Sequence, residues 1–124
     1  METTRKHLIG IVGPCASGKS TLVDRLTARG MNVRHIAQEH SYVPSMWEKI
    51  TQPDILIYLM VSFPITIERN QLDWTSAEYQ EQIFRLRHAY EHAHLVIETD
   101  GLTPEDVENM VIAFLAKHFG PKLF

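Results

Sequence analysis

The sequence holds one cysteine, Cys15, in 124 residues. A lone thiol excludes an internal disulfide framework and suits a reducing, cytoplasmic setting. Long apolar runs are also missing. The longest, Ile55 to Val61, falls far short of the roughly 20 residues that span a bilayer, so no membrane segment is expected. Near the start, Arg5 and Lys6 precede an apolar run that ends at Val12 and enters a glycine loop. It is too short for a signal peptide and lacks a small-residue cleavage pattern. There is no basic excess: Lys plus Arg is 12, Asp plus Glu is 15, and the net charge is −3. That argues against a protein organised around nucleic acid. Repeats, low-complexity segments and linkers are absent, so residues 1–124 are expected to form a single domain.

What is there is an ordinary globular mix, 44% hydrophobic and 22% charged. The charge is uneven. Residues 1–35 carry six basic and two acidic side chains, and residues 36–124 carry six and thirteen. The basic portion surrounds the glycine loop.

His7 to Val12 reads as a buried strand. Lys19 to Arg29 reads as a helix with Leu22, Val23 and Leu26 inward and Gly30 as terminator. Asn32 to Ala37 is a weaker strand. Ser45-Met46-Trp47-Glu48 has capping-box spacing and predicts a short helix that closes before Pro53. Ile55 to Val61 is apolar throughout, as a strand covered on both faces requires. Pro64 suits the first turn of a short helix, where its missing N–H costs nothing. Thr75-Ser76-Ala77-Glu78 is a second capping box. It predicts one long helix to Ala93 with Tyr79, Ile83, Leu86, Tyr90 and Ala93 inward. His94 to Glu98 is the last strand. Thr103-Pro104-Glu105-Asp106 opens a final helix with Val107, Met110, Val111, Phe114 and Leu115 buried, closed by Gly120-Pro121. This alternation predicts an α/β layered fold with right-handed crossovers.

Gly13-Pro14-Cys15-Ala16-Ser17-Gly18-Lys19-Ser20 matches G-x-x-x-x-G-K-[ST] at every fixed position. A strand leads into it and a helix starts within it. The chemistry behind the pattern is anion binding. Glycines let backbone N–H groups approach a polyphosphate, and successive amides form a nest at a helix N-terminus. Lys19 is placed to reach the β- and γ-phosphates, and Ser20 to ligate the bridging Mg²⁺. Thr21 adds a polar contact near the α-phosphate.

Beyond that motif, the chain resembles the nucleotide and small-molecule kinases of the P-loop class, such as nucleoside monophosphate, shikimate and adenylylsulfate kinases. Two further stretches carry the resemblance. One is Asp54 to Ser62 followed by Pro64 and Glu68-Arg69. It is similar to the strand that leads to the ATP-side helix and lid of those kinases. The other, Ala93 to Val107, is similar to their last strand, the loop beside the adenine and the C-terminal helix. With the glycine loop, these cover about half the chain. The resemblance implies a three-layer sandwich around a four-stranded parallel sheet in the order 2-1-3-4, the P-loop NTPase fold. It also implies that Arg69 stacks on the base, and that the backbone of Asp100, Gly101 and Leu102 lines it.

Three features depart from that pattern. No run of four apolar residues ends in aspartate. The nearest segment, Val33 to Glu39, is half polar, and Glu39 is expected at the carboxyl end of its strand, holding metal or taking a proton. Asp54 begins its strand, at the end away from the phosphates. The acceptor segment is short, Gln38 to Gln52, with His40, Ser41, Tyr42 and Trp47 as acceptor-lining residues or as core cover. The arginine-rich lid is replaced by the Thr75–Ala93 helix. Arg85 and Arg87 lie about 200° apart on it, so at most one faces the nucleotide; an Arg85 pair with Glu81 is the alternative. His88, His92 and His94 suggest a metal pair, but a polar helix face explains them as well. Trp47 and Trp74, read as exposed aromatics, suit a homodimer surface.

These readings converge on an ATP- and Mg²⁺-dependent phosphotransferase acting on a small-molecule acceptor, with Lys19, Glu39 and Arg85 catalytic and Ser20 and Glu39 on the metal. The alternatives are a non-catalytic nucleotide-binding module and a simple NTPase.

Overall fold

The computed structural model describes residues 7–70 and 73–120. Its elements, in chain order, are β1 (Leu8–Val12), α1 (Lys19–Ala28), β2 (Asn32–His35), a 3₁₀ turn (Gln38–His40), α2 (Met46–Thr51), β3 (Ile55–Met60), α3 (Phe63–Asn70), α4 (Ser76–Arg85), α5 (Arg87–His92), β4 (Leu95–Glu98) and α6 (Pro104–Phe119). The four strands form one sheet in the order β2-β1-β3-β4, and every pair is parallel. Gly10 pairs with Arg34 on one side and Leu56 on the other.

β3 is apolar throughout because both of its faces are covered, as a central parallel strand requires. Its side chains alternate. Ile55, Ile57 and Leu59 join Leu22 and Leu26 of α1 and Val107, Val111 and Leu115 of α6. Leu56 and Tyr58 join Trp47 of α2, Leu86 and Ala89. Helices therefore cover both faces. Among the described residues, no helix is long and apolar enough to cross a membrane.

Helix starts follow local chemistry. Thr75 and Thr103 each accept a hydrogen bond from the N3 backbone N–H, while Glu78 and Asp106 reach back to the cap N–H. Ser45 departs from expectation. It sits at the N-cap of α2 without a side-chain cap bond. The Trp47 N–H is instead taken by Gln38 Oε1 at 2.8 Å, a distant partner that outcompetes the local one.

Several sequence expectations are corrected. β2 ends at His35, because the chain turns into the 3₁₀ element three residues later. The expected Thr75–Ala93 helix is two helices broken at Leu86. The apolar stripe runs through that break because Leu86 is itself fully buried. The buried positions are Tyr79, Gln82, Leu86 and Ala89, so Ile83 and Tyr90 lie off the stripe. Met110 of α6 is exposed, and Glu108 is buried in its place. Trp47 is buried and Trp74 half-buried against Phe63 and Tyr79, which removes the basis for a dimer surface built on exposed tryptophans. Gly120 caps α6 with φ +73°, while Pro121 lies outside the described residues.

Glu108 explains its own burial. Arg25 Nε donates to one carboxylate oxygen at 2.6 Å, and Arg29 Nε donates to the other. Both arginines belong to the α1 segment, so the carboxylate fastens α6 to α1. Hydrogen bonds from Arg29 and then Arg25 hold the Glu108 carboxyl below its usual range.

Two stability predictions follow from this packing. Leu115→Ala opens a cavity between α6 and the sheet and should destabilise by about 2–5 kcal/mol in chemical denaturation. Glu108→Gln should lower the melting temperature at neutral pH. A depressed carboxyl stabilises the fold above its unfolded pKa, and that contribution fades as pH falls through the folded value. Melting curves across the acid range should therefore show wild type and variant converging as pH drops.

Candidate functional site

The carboxyl ends of β1, β2, β3 and β4 point to one side of the sheet, because all four strands are parallel. The loops that leave them build one cleft. After β1, the chain enters the glycine loop with Gly13 at φ +155°, Ala16 at φ +67° and Gly18 at φ +96°. A Cβ at residue 13 would collide with the Leu59 carbonyl and the Ser17 hydroxyl, so only glycine fits there. Ala16 holds a left-handed conformation that L-residues avoid, and such strain collects at functional sites. The Ser17 N–H donates to Pro14 O, closing the turn, and Gly18 caps α1.

Lys19 lies in the first turn of α1 and folds back under this loop. Its Nζ donates to Gly13 O at 2.6 Å and to Pro14 O at 3.0 Å. It also pairs with Glu39 Oε2 at 3.0 Å. Both side chains are almost wholly buried, 6% and 4% exposed. Glu39 arrives as expected just beyond β2, but on a 3₁₀ turn. Its neighbour Gln38 braces that turn, donating from Nε2 to Val43 O and Arg85 O while Oε1 holds α2. Two polar atoms in this group have no partner among the described residues: Ser17 Oγ and Glu39 Oε1.

Gln82 of α4 clasps the loop from outside. Its Oε1 accepts from the Cys15 N–H at 2.9 Å, and its Nε2 donates to Cys15 Sγ at 3.1 Å. Arg69 of α3 ties the loop to the end of β4. Its Nη1 donates to Ala16 O and Thr99 Oγ1, and its Nη2 donates to Thr99 O. The cleft, about 620 Å³, is lined by Cys15 to Leu22, by His35, Glu39, Arg69, Asn70 and Thr99, and by Leu102 to Pro104 and Val107. Burial, and next the Lys19 charge, push the His35 imidazole below its ordinary pKa.

The structure brings together Cys15, Ala16, Ser17, Gly18, Lys19, Ser20, Thr21, Glu39 and Arg69 around one cleft. Gly13 and Pro14 act from behind, through the carbonyls that hold Lys19. Asp100 and Gly101 lie to one side. The Asp100 carboxylate accepts from the Ser62 N–H at 3.0 Å, and Gly101 turns the chain at φ +76°. The wall beyond them is Leu102, Thr103 and Pro104. Arg85 stands behind Glu39, not in the cleft. Its Nη1 is 3.4 Å from Glu39 O, its Nε is 3.4 Å from Glu81, and its guanidinium covers the exposed Tyr42 ring. Arg87 lies over Phe84. Asp54 sits at the opposite end of the sheet, accepting from the Leu8 N–H.

Trp47 donates to His88 Nδ1 at 3.0 Å from the core, which is the core-cover reading of that residue. His88 and His92 stack on each other, and the His92 ring bonds to His88 O, so this pair is committed to packing. Sequence reasoning missed Gln38, Gln82, His35 and Thr99. For Gln82 there was a signal: it falls on the buried stripe, three residues after Tyr79 and four before Leu86. A polar residue at a core position needs a partner, and here the partner is the loop.

No known protein family matches the chain, and no curated protein matches it. Among solved structures, it is similar to the YorR protein of Bacillus subtilis in complex with phosphorylated GDP. The TM-score is 0.63 at 12% sequence identity, covering 90% of this chain and 98% of that one. With the strand order β2-β1-β3-β4 and the helices on both faces, this establishes the fold as P-loop NTPase-like.

Proposed function

We propose that the cleft binds a nucleoside triphosphate, taken as ATP, together with Mg²⁺, and that the protein passes the γ-phosphoryl group to a small-molecule acceptor. The observation that carries this reading is the buried Lys19 ammonium beneath a loop with three positive φ angles. Its partners are two carbonyls and a carboxylate, which a polyphosphate outcompetes in charge. The similarity to a protein that binds phosphorylated GDP supports nucleotide binding in general. A cleft of about 620 Å³ also falls in the ordinary size range for ligand sites.

In this reading, the amides from Ala16 to Thr21 cradle the phosphates at the start of α1. Arg69 and the Leu102–Pro104 wall border the base. Ser20 and Glu39 would hold Mg²⁺, and the partnerless Glu39 Oε1 fits that role. When bound, the ion supplies charge neutralisation on the phosphate oxygens. Lys19 follows the phosphates and leaves Glu39 Oε2 without its cation. In its alternative role, without the ion, the freed carboxylate takes the proton of the acceptor hydroxyl. The acceptor oxygen bonds to the γ-phosphorus as the bond to the ADP oxygen breaks. Arg85 acts on this chemistry only through Glu39, whose backbone it contacts.

One observation favours a second reading, a nucleotide-binding module or NTPase. Trp47, the best aromatic of the short acceptor segment, is spent on the core. Water as acceptor needs no such pocket.

Two measurements test the proposal. Lys19→Ala should weaken ATP binding by about 2–5 kcal/mol, roughly 30-fold or more, in calorimetry. Ser20→Ala changes an exposed side chain and should leave the melting temperature alone while reducing the Mg²⁺-dependent part of the affinity. Undiminished binding in both variants would overturn the reading. In a second experiment, protein, Mg²⁺ and γ-labelled ATP are mixed with pools of nucleosides, nucleotides, sugars and cofactors. Labelled acceptor is expected; free phosphate alone would mean a hydrolase, and binding without turnover a module.

A further inference from the structure

Three side chains from two segments converge beside Lys19: Cys15 from the glycine loop, and Glu39 and His40 from the 3₁₀ turn. One ligand atom from each lies within 4.8 Å of the others. Thiolate, carboxylate and imidazole are all zinc donors. Sulfur and nitrogen suit a soft or borderline ion and not Mg²⁺, which prefers oxygen. We propose that Cys15, Glu39 and His40 form a site for a thiophilic divalent ion of the zinc class in the nucleotide-free protein.

An independent observation points to a ligand here. Glu39 Oε1 is buried on a side chain only 4% exposed and has no hydrogen-bond partner among the described residues. A buried carboxylate oxygen without a partner is costly, and a cation relieves that cost. Lys19 engages the other oxygen, Oε2, so the ion takes the Oε1 side. Lys19 retains its two carbonyl acceptors when the carboxylate is shared.

The geometry needs only a modest closure. A tetrahedral zinc ion separates its donors by roughly 3.3–3.8 Å. His40 is 61% exposed, and its Nε2, 3.7 Å from Glu39 Oε2, must swing from the oxygen that Lys19 holds toward the Oε1 side. Cys15 Sγ accepts a hydrogen bond from Gln82 Nε2, which orients the sulfur. Binding releases the thiol proton to solvent, and the fourth position remains open. An ion here ties the glycine loop to the 3₁₀ turn across the seat of Lys19. It therefore competes with a nucleotide for Glu39.

The site shares Glu39 with the proposed nucleotide cleft but is tested without nucleotide, so the two readings fail separately. The intact, nucleotide-free protein is titrated with Co²⁺, a spectroscopic stand-in for Zn²⁺. A near-ultraviolet thiolate-to-cobalt charge-transfer band should appear at one equivalent and vanish on adding Zn²⁺. Cys15→Ser should abolish the band. His40→Ala, a change at an exposed side chain, should weaken Co²⁺ binding about tenfold or more. Absence of the band in wild type, or equal affinity in His40→Ala, would overturn the proposal. ATP affinity of the metal-free protein is measured in parallel and judges only the nucleotide reading.

Discussion

A lysine ammonium sits almost out of water beneath the glycine loop, and much of the architecture around it exists to keep it there. An isolated charge in that position would be prohibitively unfavourable. Gly13 and Pro14 turn their carbonyls inward to meet it, and Glu39 supplies the opposite charge. The loop reaches this shape only through positive φ angles at Gly13, Ala16 and Gly18. The strain at Ala16 is held by what surrounds it, since its carbonyl is bonded to Arg69 and its neighbour Cys15 to Gln82. The ion pair is thus weak evidence for stability. Removing either partner strands the other charge in the interior.

The sheet divides the labour between its faces. On one, α1 and α6 pack on Ile9, Ile11, Ile55, Ile57 and Leu59, and the two arginines of the α1 segment grip Glu108. That face makes α1 a rigid support, so the loop that opens it has a fixed base. On the other, α2 and α5 pack on Leu56 and Tyr58 through Trp47, Leu86 and Ala89. The break at Leu86 lets α5 stay on the sheet while α4 contacts the 3₁₀ turn and the glycine loop. Gln38 and Gln82, both buried, are the joints of this arrangement. Each uses both ends of its amide, which fixes position in a way that an apolar residue cannot.

Much of this was legible in the residues. The spacing of Gly13, Gly18, Lys19 and Ser20 located the cleft, because Gly13 and Gly18 take positive φ angles that glycine adopts without strain. Thr75 and Thr103 announced their helices, since a capping box closes within four residues. The position of Glu39 followed from counting along a parallel strand. Less legible was the Thr75–Ala93 segment, where periodicity ran unbroken across two helices. Ser45 showed the right local pattern and lost its bond to Gln38, a competitor seven residues earlier that folding brings near.

Local chemistry, then, was settled by the chain itself: which segments are apolar strands, where capped helices start, and where the loop turns. Those outcomes depend on backbone sterics and on periodic burial, which act over a few neighbouring residues. The pairing of Lys19 with Glu39, the grip of Gln82 on Cys15, the tether of Arg69 to Thr99 and the exile of Arg85 to the back of the site belong to tertiary structure. They join residues up to 67 positions apart. Polar side chains like these choose among many partners in the unfolded chain, and only the packed sheet and helices narrow that choice.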